Sequence, residues 1–341
     1  MMDRIGLGRR GPKVSRICMG CMGLGNPSTG QHSWTVDGEP AEGIVKAALD
    51  AGIDFFDTAP GYQDGTSERI LGKAVARYAD RGSVFIATKF LPRSQDEISA
   101  GIGGREHVLR SLDASLERLG TDHVDLLIYH MWDYATPLEG IMCGLREAMD
   151  SGKADCIGIS NCYAWQLCEA NALADAMGMD RFVSVQNHHN LVFREEEREM
   201  IPYCRHAGIA VTPYSPLASG RLSRPAGVSS NRFERDSYAH LKYDASAEAD
   251  SVIIDRVRQV AEGLDVSMTQ VAIAWSLTKV TAPVVGATSP GQIEDAASAA
   301  DLRLSDDDIG FLEEPYVPHR IVGVMAQNTP DAVGKKQVWN R

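Results

Sequence analysis

Between Gly52 and Val75 the chain reads GIDFFDTAPGYQDGTSERILGKAV. An apolar run, Ile53–Phe56, stops on Asp57, and Tyr62 follows in a turn broken by glycine and proline, ahead of a helix-like stretch. A carboxylate at a strand end either caps the next turn or works with its neighbours. Other apolar runs also end on chemically able side chains: Lys89, His130, Ser160 with Asn161, Gln186 and Tyr214. Each has an ordinary reading on its own, Lys89 as a solvated strand end, His130 as a satisfied core histidine and Gln186 as a cap. Their joint occurrence is hard to credit to chance and points to one site of polar, chemically able side chains.

The elements that must place them alternate. Strand candidates are Ile17–Met19, Phe55–Asp57, Val84–Lys89, Val124–His130, Ala154–Ser160, Val183–Asn187, Ala210–Tyr214 and Val284–Gly286. Between them run segments with helical spacing of apolar residues: Ala41–Ala51, Arg105–Leu119, Leu138–Met149, Ala164–Ala176 and Glu195–His206. Strands alternating with helices predict an α/β fold with a parallel sheet, and eight strands close a (β/α)8 TIM barrel. Residues 1–341 read as one such barrel domain, with an active site at the C-terminal strand ends. Ahead of the first barrel strand, Ile5 and Val14 flank a turn at Gly8–Gly11, a β-hairpin able to plug the barrel floor. Ser215–Ala247 is a long polar insertion, and Ser305–Arg341 is a C-terminal tail that starts helix-like and ends irregular.

Composition narrows the class. The chain has 341 residues, 44% hydrophobic and 23% charged, with a formal net charge of −12. That balance is ordinary for a globular protein, and the negative sign argues against nucleic-acid partners. No run reaches the roughly 20 apolar residues of a membrane helix, and MMDRIGLGRRGPKVS lacks a signal-peptide core, so a cytoplasmic location is expected. Seven cysteines predict free thiols rather than a disulfide framework. Cys18 and Cys21 form a CxxC in an apolar, glycine-rich setting that reads as a strand end. His188 and His189 are strand neighbours pointing to opposite faces, and no metal ligand set stands out. Trp165 and Trp275 lie in helical patterns and read as core.

Two loops suit an anion. After the seventh and eighth strands come SPLASGRL (Ser215–Leu222) and GATSPGQ (Gly286–Gln292). Both are rich in small residues, and the second opens a helix. Barrels of this type often hold phosphate there. Neither GxGxxG after a strand nor GxxxxGK[ST] is present, so no dinucleotide fold or P-loop is indicated.

Over nearly its whole length the sequence resembles the aldo-keto reductase superfamily. The resemblance rests on FFDTAPGY (Phe55–Tyr62), ATKF (Ala87–Phe90), DLLIYHMWD (Asp125–Asp133), GISN (Gly158–Asn161), VQNHHN (Val185–Asn190), PYSPLASGRL (Pro213–Leu222) and VVGATSPGQIED (Val284–Asp295). The ending EEPYVPH (Glu313–His319) is similar to a bacterial branch of that superfamily. The resemblance implies a catalytic tetrad at Asp57, Tyr62, Lys89 and His130, in an NAD(P)H-dependent reductase of aldehydes or ketones. In such a site Tyr62 supplies the proton, Lys89 brings the phenol pKa down, Asp57 pairs with Lys89, and neutral His130 hydrogen-bonds the carbonyl oxygen.

It also implies cofactor roles. Ser160, Asn161 and Gln186 would hold the nicotinamide carboxamide, Tyr214 would stack on its ring, and Gly20, Cys21 and Met22 would line its ribose, close to Asp57. Ser215, Pro216, Leu217, Ala218 and Gly220 would meet the pyrophosphate, with Gly286, Ala287, Thr288, Ser289, Gln292 and Asp295 around the adenosine. Where many members carry Arg or Lys for the 2′-phosphate of NADP, this chain has Thr288 and Ser289. Arg221, Arg224, Arg232 or Arg235 could supply the charge instead, so NADP is the expected cofactor and NAD the alternative. Trp34, Phe90 and Trp132 are expected to line the substrate pocket with Tyr62 and His130. A nucleotide-binding regulatory subunit is the competing function, and a metal-dependent barrel hydrolase a weaker one.

Overall fold

The structure is a computed structural model and describes residues 2–332. Ten strands occur among these residues: β1 (Arg4–Gly6), β2 (Lys13–Ser15), β3 (Cys18–Gly20), β4 (Phe55–Asp57), β5 (Phe85–Phe90), β6 (Val124–Tyr129), β7 (Ala154–Ser160), β8 (Ser184–Gln186), β9 (Ala210–Val211) and β10 (Val284–Gly286). Strands β3 to β10 form one parallel sheet in the order β10-β3-β4-β5-β6-β7-β8-β9. Its two ends meet where the Val284 N–H donates to Pro213 O at 2.9 Å, beside a Tyr214–Val284 bridge. This is the (β/α)8 barrel that the alternation predicts.

Register explains the layering. Cys18, Phe55 and Phe85 are paired across β3, β4 and β5, and they share a buried cluster with Leu126, Ile128, Cys156, Ala210 and Val284. Their neighbours Met19, Phe56, Ile86, Leu127, Ile157 and Val185 join the larger cluster with the helices. Alternation along each strand thus fills the barrel on one side and docks the helix ring on the other.

The expected hairpin is present. Ile5 pairs with Val14, and Leu7 and Val14 belong to the same cluster as the barrel interior, so the hairpin seals the floor. The rim carries the irregular segments. The expected helix at 195–206 is instead a short turn, Glu195–Glu197, and a helix at Met200–Ala207. Pro202, which has no N–H to donate, is tolerated because it lies in the first turn of that helix. The long insertion folds into helices at Asn231–Arg235 and Ser237–Tyr243, started by the side chains of Ser230 and Asp236 accepting from Phe233 N and Ala239 N. Trp275 is fully buried as expected, but Trp165 is 54% exposed, because its position on the helix Ala164–Met177 faces outward, with the tilted Trp132 ring beside it at 6.1 Å. Among the described residues no helix is long and apolar enough to cross a membrane.

Leu7 tests the floor. Leu7→Ala removes a fully buried side chain and is expected to cost about 2–5 kcal/mol of stability in a urea titration. A near-neutral change would mean the hairpin is not part of the core.

Candidate active site

Asp57 ends β4, Lys89 lies one residue before the end of β5, and His130 follows β6 directly. All three therefore reach the same rim of the barrel. The Lys89 Nζ is fully enclosed and donates to Asp57 Oδ1 at 2.6 Å, to Thr58 O at 2.8 Å and to Tyr62 Oη at 3.0 Å. An ammonium has three protons, and all three are taken. The second oxygen of Asp57 accepts from Gln186 Nε2 at 2.9 Å, which ties the end of β8 to the same group.

The surroundings fix this cluster. Ser67 Oγ donates to Cys21 O at 2.7 Å and meets Thr58 Oγ1 at 3.0 Å. The buried Glu68 accepts from Thr88 Oγ1 at 2.6 Å and from Arg118 Nε. Both lie in the first turn of the helix Thr66–Tyr78, so the helix after β4 braces three strand ends. Ser67 and Glu68 escape a search for reactive groups because they touch only the frame.

Electrostatics assign the protonation states. Burial alone would lower the Lys89 pKa, but Asp57 and Tyr62 outweigh it and hold the ammonium charged, above its ordinary range. Burial raises the Tyr62 phenol, and the opposing pull of Lys89 does not cancel it. The sequence-based expectation of a depressed phenol is therefore corrected: the desolvation of an anion inside the cleft is the larger effect. Burial, with Lys89 adding to it, pushes His130 well below the usual imidazole range, so it is neutral. Its ring lies edge-on to Tyr62, 6.3 Å between centroids.

These groups open on a cleft of about 940 Å³. Its walls include Asp57, Tyr62 and His130; Gly20 and Met22; Ser160, Asn161 and Gln186; Tyr214, Ser215, Pro216, Leu217 and Gly220; Arg232; Gly286, Ala287, Thr288, Gln292 and Asp295; and Trp34. Lys89 stands behind them. Several expected residues are not brought to the cleft wall. Cys21 and Ala218 are buried beneath it, and Ser289 is outside it. Arg221 is bound to Asp244 at 2.8 Å and lies over the Phe233 and Tyr243 rings. Arg235 is exposed and away from the wall. Phe90 is sealed in the core, stacked on Tyr129 at 5.1 Å, and Trp132 is buried against Tyr129 and Trp165. Phe90 and Trp132 are strand-top residues pointing into the helix layer, a parity that spacing alone did not reveal.

Cys18 and Cys21 are buried free thiols, and burial raises both. His188 and His189 do part to different sides. His188 is sandwiched between Phe193 at 4.2 Å and Tyr214 at 5.4 Å, and His189 stacks on Trp275. Tyr214 thereby has one face backed by an aromatic stack, and its hydroxyl donates to Asn161 Oδ1 at 3.0 Å. Asn161 in turn donates to Ser160 Oγ and His130 O, both at 2.9 Å.

The cleft is positively charged along the insertion. Lys242 is buried, donates to Ser215 Oγ at 3.2 Å, and lies over the Tyr214, Tyr238 and Tyr243 rings. Burial is the largest influence and Asp236 opposes it, yet with Arg232 and Arg221 adding repulsion the ammonium falls to about 7. Arg224 lines the cleft with Nη1 buried and lacking a hydrogen-bond partner. The carboxylate beside Lys242 is Asp236, already accepting from Ala239 N at 2.9 Å and Arg232 Nε at 3.5 Å. Left-handed turns at Ser215 and across Ala218–Gly220 fold this loop around the cleft. An incompletely neutralised cationic wall fits a phosphate-bearing ligand, and so does the Tyr214 ring face beside Ser160, Asn161 and Gln186 for a flat amide-bearing ring. Lys242 is missed from sequence because nothing in SYAHLKY (Ser237–Tyr243) distinguishes it from a surface lysine.

Residues 16–316 match the family model described as the aldo/keto reductase family. The chain is 40% identical to versiconal hemiacetal acetate reductase of Aspergillus parasiticus, covering 94% of this chain and 98% of the relative. It is 36% identical to an aldo-keto reductase of Metarhizium robertsii (94% and 93% covered) and 34% identical to one of Alternaria alternata (91% and 90%). These relatives are fungal and lend no support to the bacterial branch suggested by EEPYVPH.

The central pair can be tested by subtraction. Asp57→Asn leaves a buried ammonium uncompensated and is expected to cost about 3–5 kcal/mol. Adding Lys89→Met to it should recover part of that loss in urea titrations. No recovery would mean the pair is not the interaction being lost.

Proposed function

The chain belongs to the aldo/keto reductase family, and on that premise we propose that it reduces an aldehyde or ketone to the alcohol with NADPH, using Tyr62 as general acid. The observation that carries this reading is the Lys89–Tyr62 contact of 3.0 Å at the cleft wall beside neutral His130. Because Lys89 donates to the phenol oxygen, the phenolic proton is free to point at a substrate oxygen. Tyr62 then gives that proton to the oxygen, and Lys89 stabilises the phenolate that remains. His130, neutral, would donate a hydrogen bond to the same oxygen and stabilise charge building there. Asp57 keeps Lys89 charged throughout.

A reduced nicotinamide, when bound, supplies the hydride for the carbonyl carbon. Ser160, Asn161 and Gln186 would orient its carboxamide, and Tyr214, held from behind by His188, would offer a flat face to the ring. Ser215, Leu217, Gly220 and Lys242 would take the diphosphate. Arg224, at the cleft wall with an unpartnered Nη1, is the better candidate for the 2′-phosphate; Arg221 also has an unpartnered Nη1 but lies off the wall and is paired with Asp244. Charge-assisted contacts of this kind favour NADPH over NADH by roughly ten- to a hundredfold.

Tyr62→Phe should lower kcat/KM for 4-nitrobenzaldehyde by roughly 10²–10⁴-fold while leaving the NADPH Kd nearly unchanged in a fluorescence titration. Near-normal turnover would move the proton donor elsewhere. Nucleotide binding with no turnover by the unmodified protein would favour the regulatory reading. Arg224→Ala should bring NADPH and NADH towards equal affinity, and an unchanged ratio would remove Arg224 from the 2′-phosphate site. The pH dependence has a defined sign. An anion beside Lys242 raises its pKa, so the complex holds more protons than the free protein and affinity falls as pH rises above about 7. Lys242→Met should flatten that slope, and an equal slope in the variant would exclude Lys242 as its source.

A further inference from the structure

Next to Tyr62 the backbone takes three consecutive left-handed residues, Gln63 (φ 49°), Asp64 (φ 53°) and Gly65 (φ 77°). Two of them are not glycine, a conformation that persists only where the surroundings over-determine it. At Gln63 the surroundings do so. The side chain is 1% exposed. Its amide nitrogen, with two protons to give, faces three carbonyls, Asn26 O at 2.7 Å, His32 O at 2.9 Å and Thr29 O, and its Oε1 accepts from His32 N at 2.9 Å. Asp64 adds a bond from Gly30 N at 3.1 Å. Segment 26–34 is thus wrapped around one glutamine.

The fit is close on both sides. A Cβ added to Gly25 would lie 2.6 Å from Gln63 Cβ, and one added to Gly30 would lie 2.6 Å from Gln63 Cα. Glycine at those two positions is what lets the segment reach Gln63. The same segment carries His32 and Trp34 to the cleft wall, 5.0 Å apart between rings. Over the Trp34 ring, at 4.1 Å, lies the guanidinium of Arg232, which comes from the opposite side of the cleft on the insertion that also carries Lys242. A guanidinium over an indole face is an attractive contact, and it bridges the two walls.

We propose that Gln63 is a positioning residue: it fixes the 26–34 wall in register with Tyr62 and, through Trp34, seats the 231–243 segment over the cleft. The proton donor and the cleft's closure are thereby referenced to one buried amide. The kinetic part of this inference rests on the reductase reading above; the structural part does not.

Two variants test it. Gln63→Gly removes the amide while suiting the left-handed backbone, so the turn itself is not strained. Gln63→Glu keeps the shape and the acceptor but loses the donors. Hydrogen exchange read by mass spectrometry should rise about tenfold or more in peptides covering 26–34 for both variants. It should also rise at 231–243, with 268–279 unchanged. Unchanged exchange at 26–34 overturns the anchoring role, and a rise confined to 26–34 overturns the link through Trp34. With 4-nitrobenzaldehyde and NADPH, the KM should rise about tenfold with kcat nearly retained, as expected when a binding wall loosens and the reacting groups do not. An unchanged KM despite faster exchange overturns the positioning role. Absence of turnover in the unmodified protein would instead sink the reductase reading, and the exchange experiment would still decide this one.

Discussion

A single buried ammonium organises the site. The three protons of Lys89 go to a carboxylate, a backbone carbonyl and a phenol, and each acceptor comes from the β4 end or the turn after it. A charge can be kept in such a place only if it is paired and its protons are satisfied. The requirement fixes where β4 and β5 end relative to each other, and it fixes which way Tyr62 faces. The bracing by Ser67 and Glu68, and the bond from Gln186 to Asp57, extend the same constraint to β3, β5 and β8. Chemistry at the rim and stability of the rim are therefore one problem.

The cleft shows the complementary condition. Overall the chain is negative at −12, but along the insertion Arg224, Arg232 and Lys242 gather at the cleft with Asp236 as the carboxylate against them. Buried cations with incomplete neutralisation are costly unless an anion joins them. The pull of Lys242 down to about 7 expresses that cost as a loosened proton. A diphosphate ligand would relieve it, which makes affinity, charge and pH parts of one equilibrium.

Much of this was legible in the sequence. Strand-then-helix alternation gave the barrel, and polar residues ending the runs marked Asp57, Lys89, His130, Ser160, Gln186 and Tyr214, because period-two patterns and their interruptions survive in sequence. What was not legible depends on direction and environment. Phe90 and Trp132 sit at strand tops yet point into the helix layer. Arg221 has the right charge but is held by Asp244. The Tyr62 phenol is raised because burial outweighs a neighbouring cation, a balance of magnitudes that no motif encodes. Gln63 and Lys242 make contacts with segments distant in sequence, and nothing in their local spacing announces it.

Tyr62, though touching a charged lysine, keeps its proton because burial raises the phenol. Ultraviolet difference titration of the protein against its Tyr62→Phe variant isolates that one phenol. No ionisation of Tyr62 is expected until above about pH 10, the ordinary phenol value. A phenol that ionises well below that value, in a folded protein, would contradict that expectation and make the Lys89 cation, not burial, the governing influence.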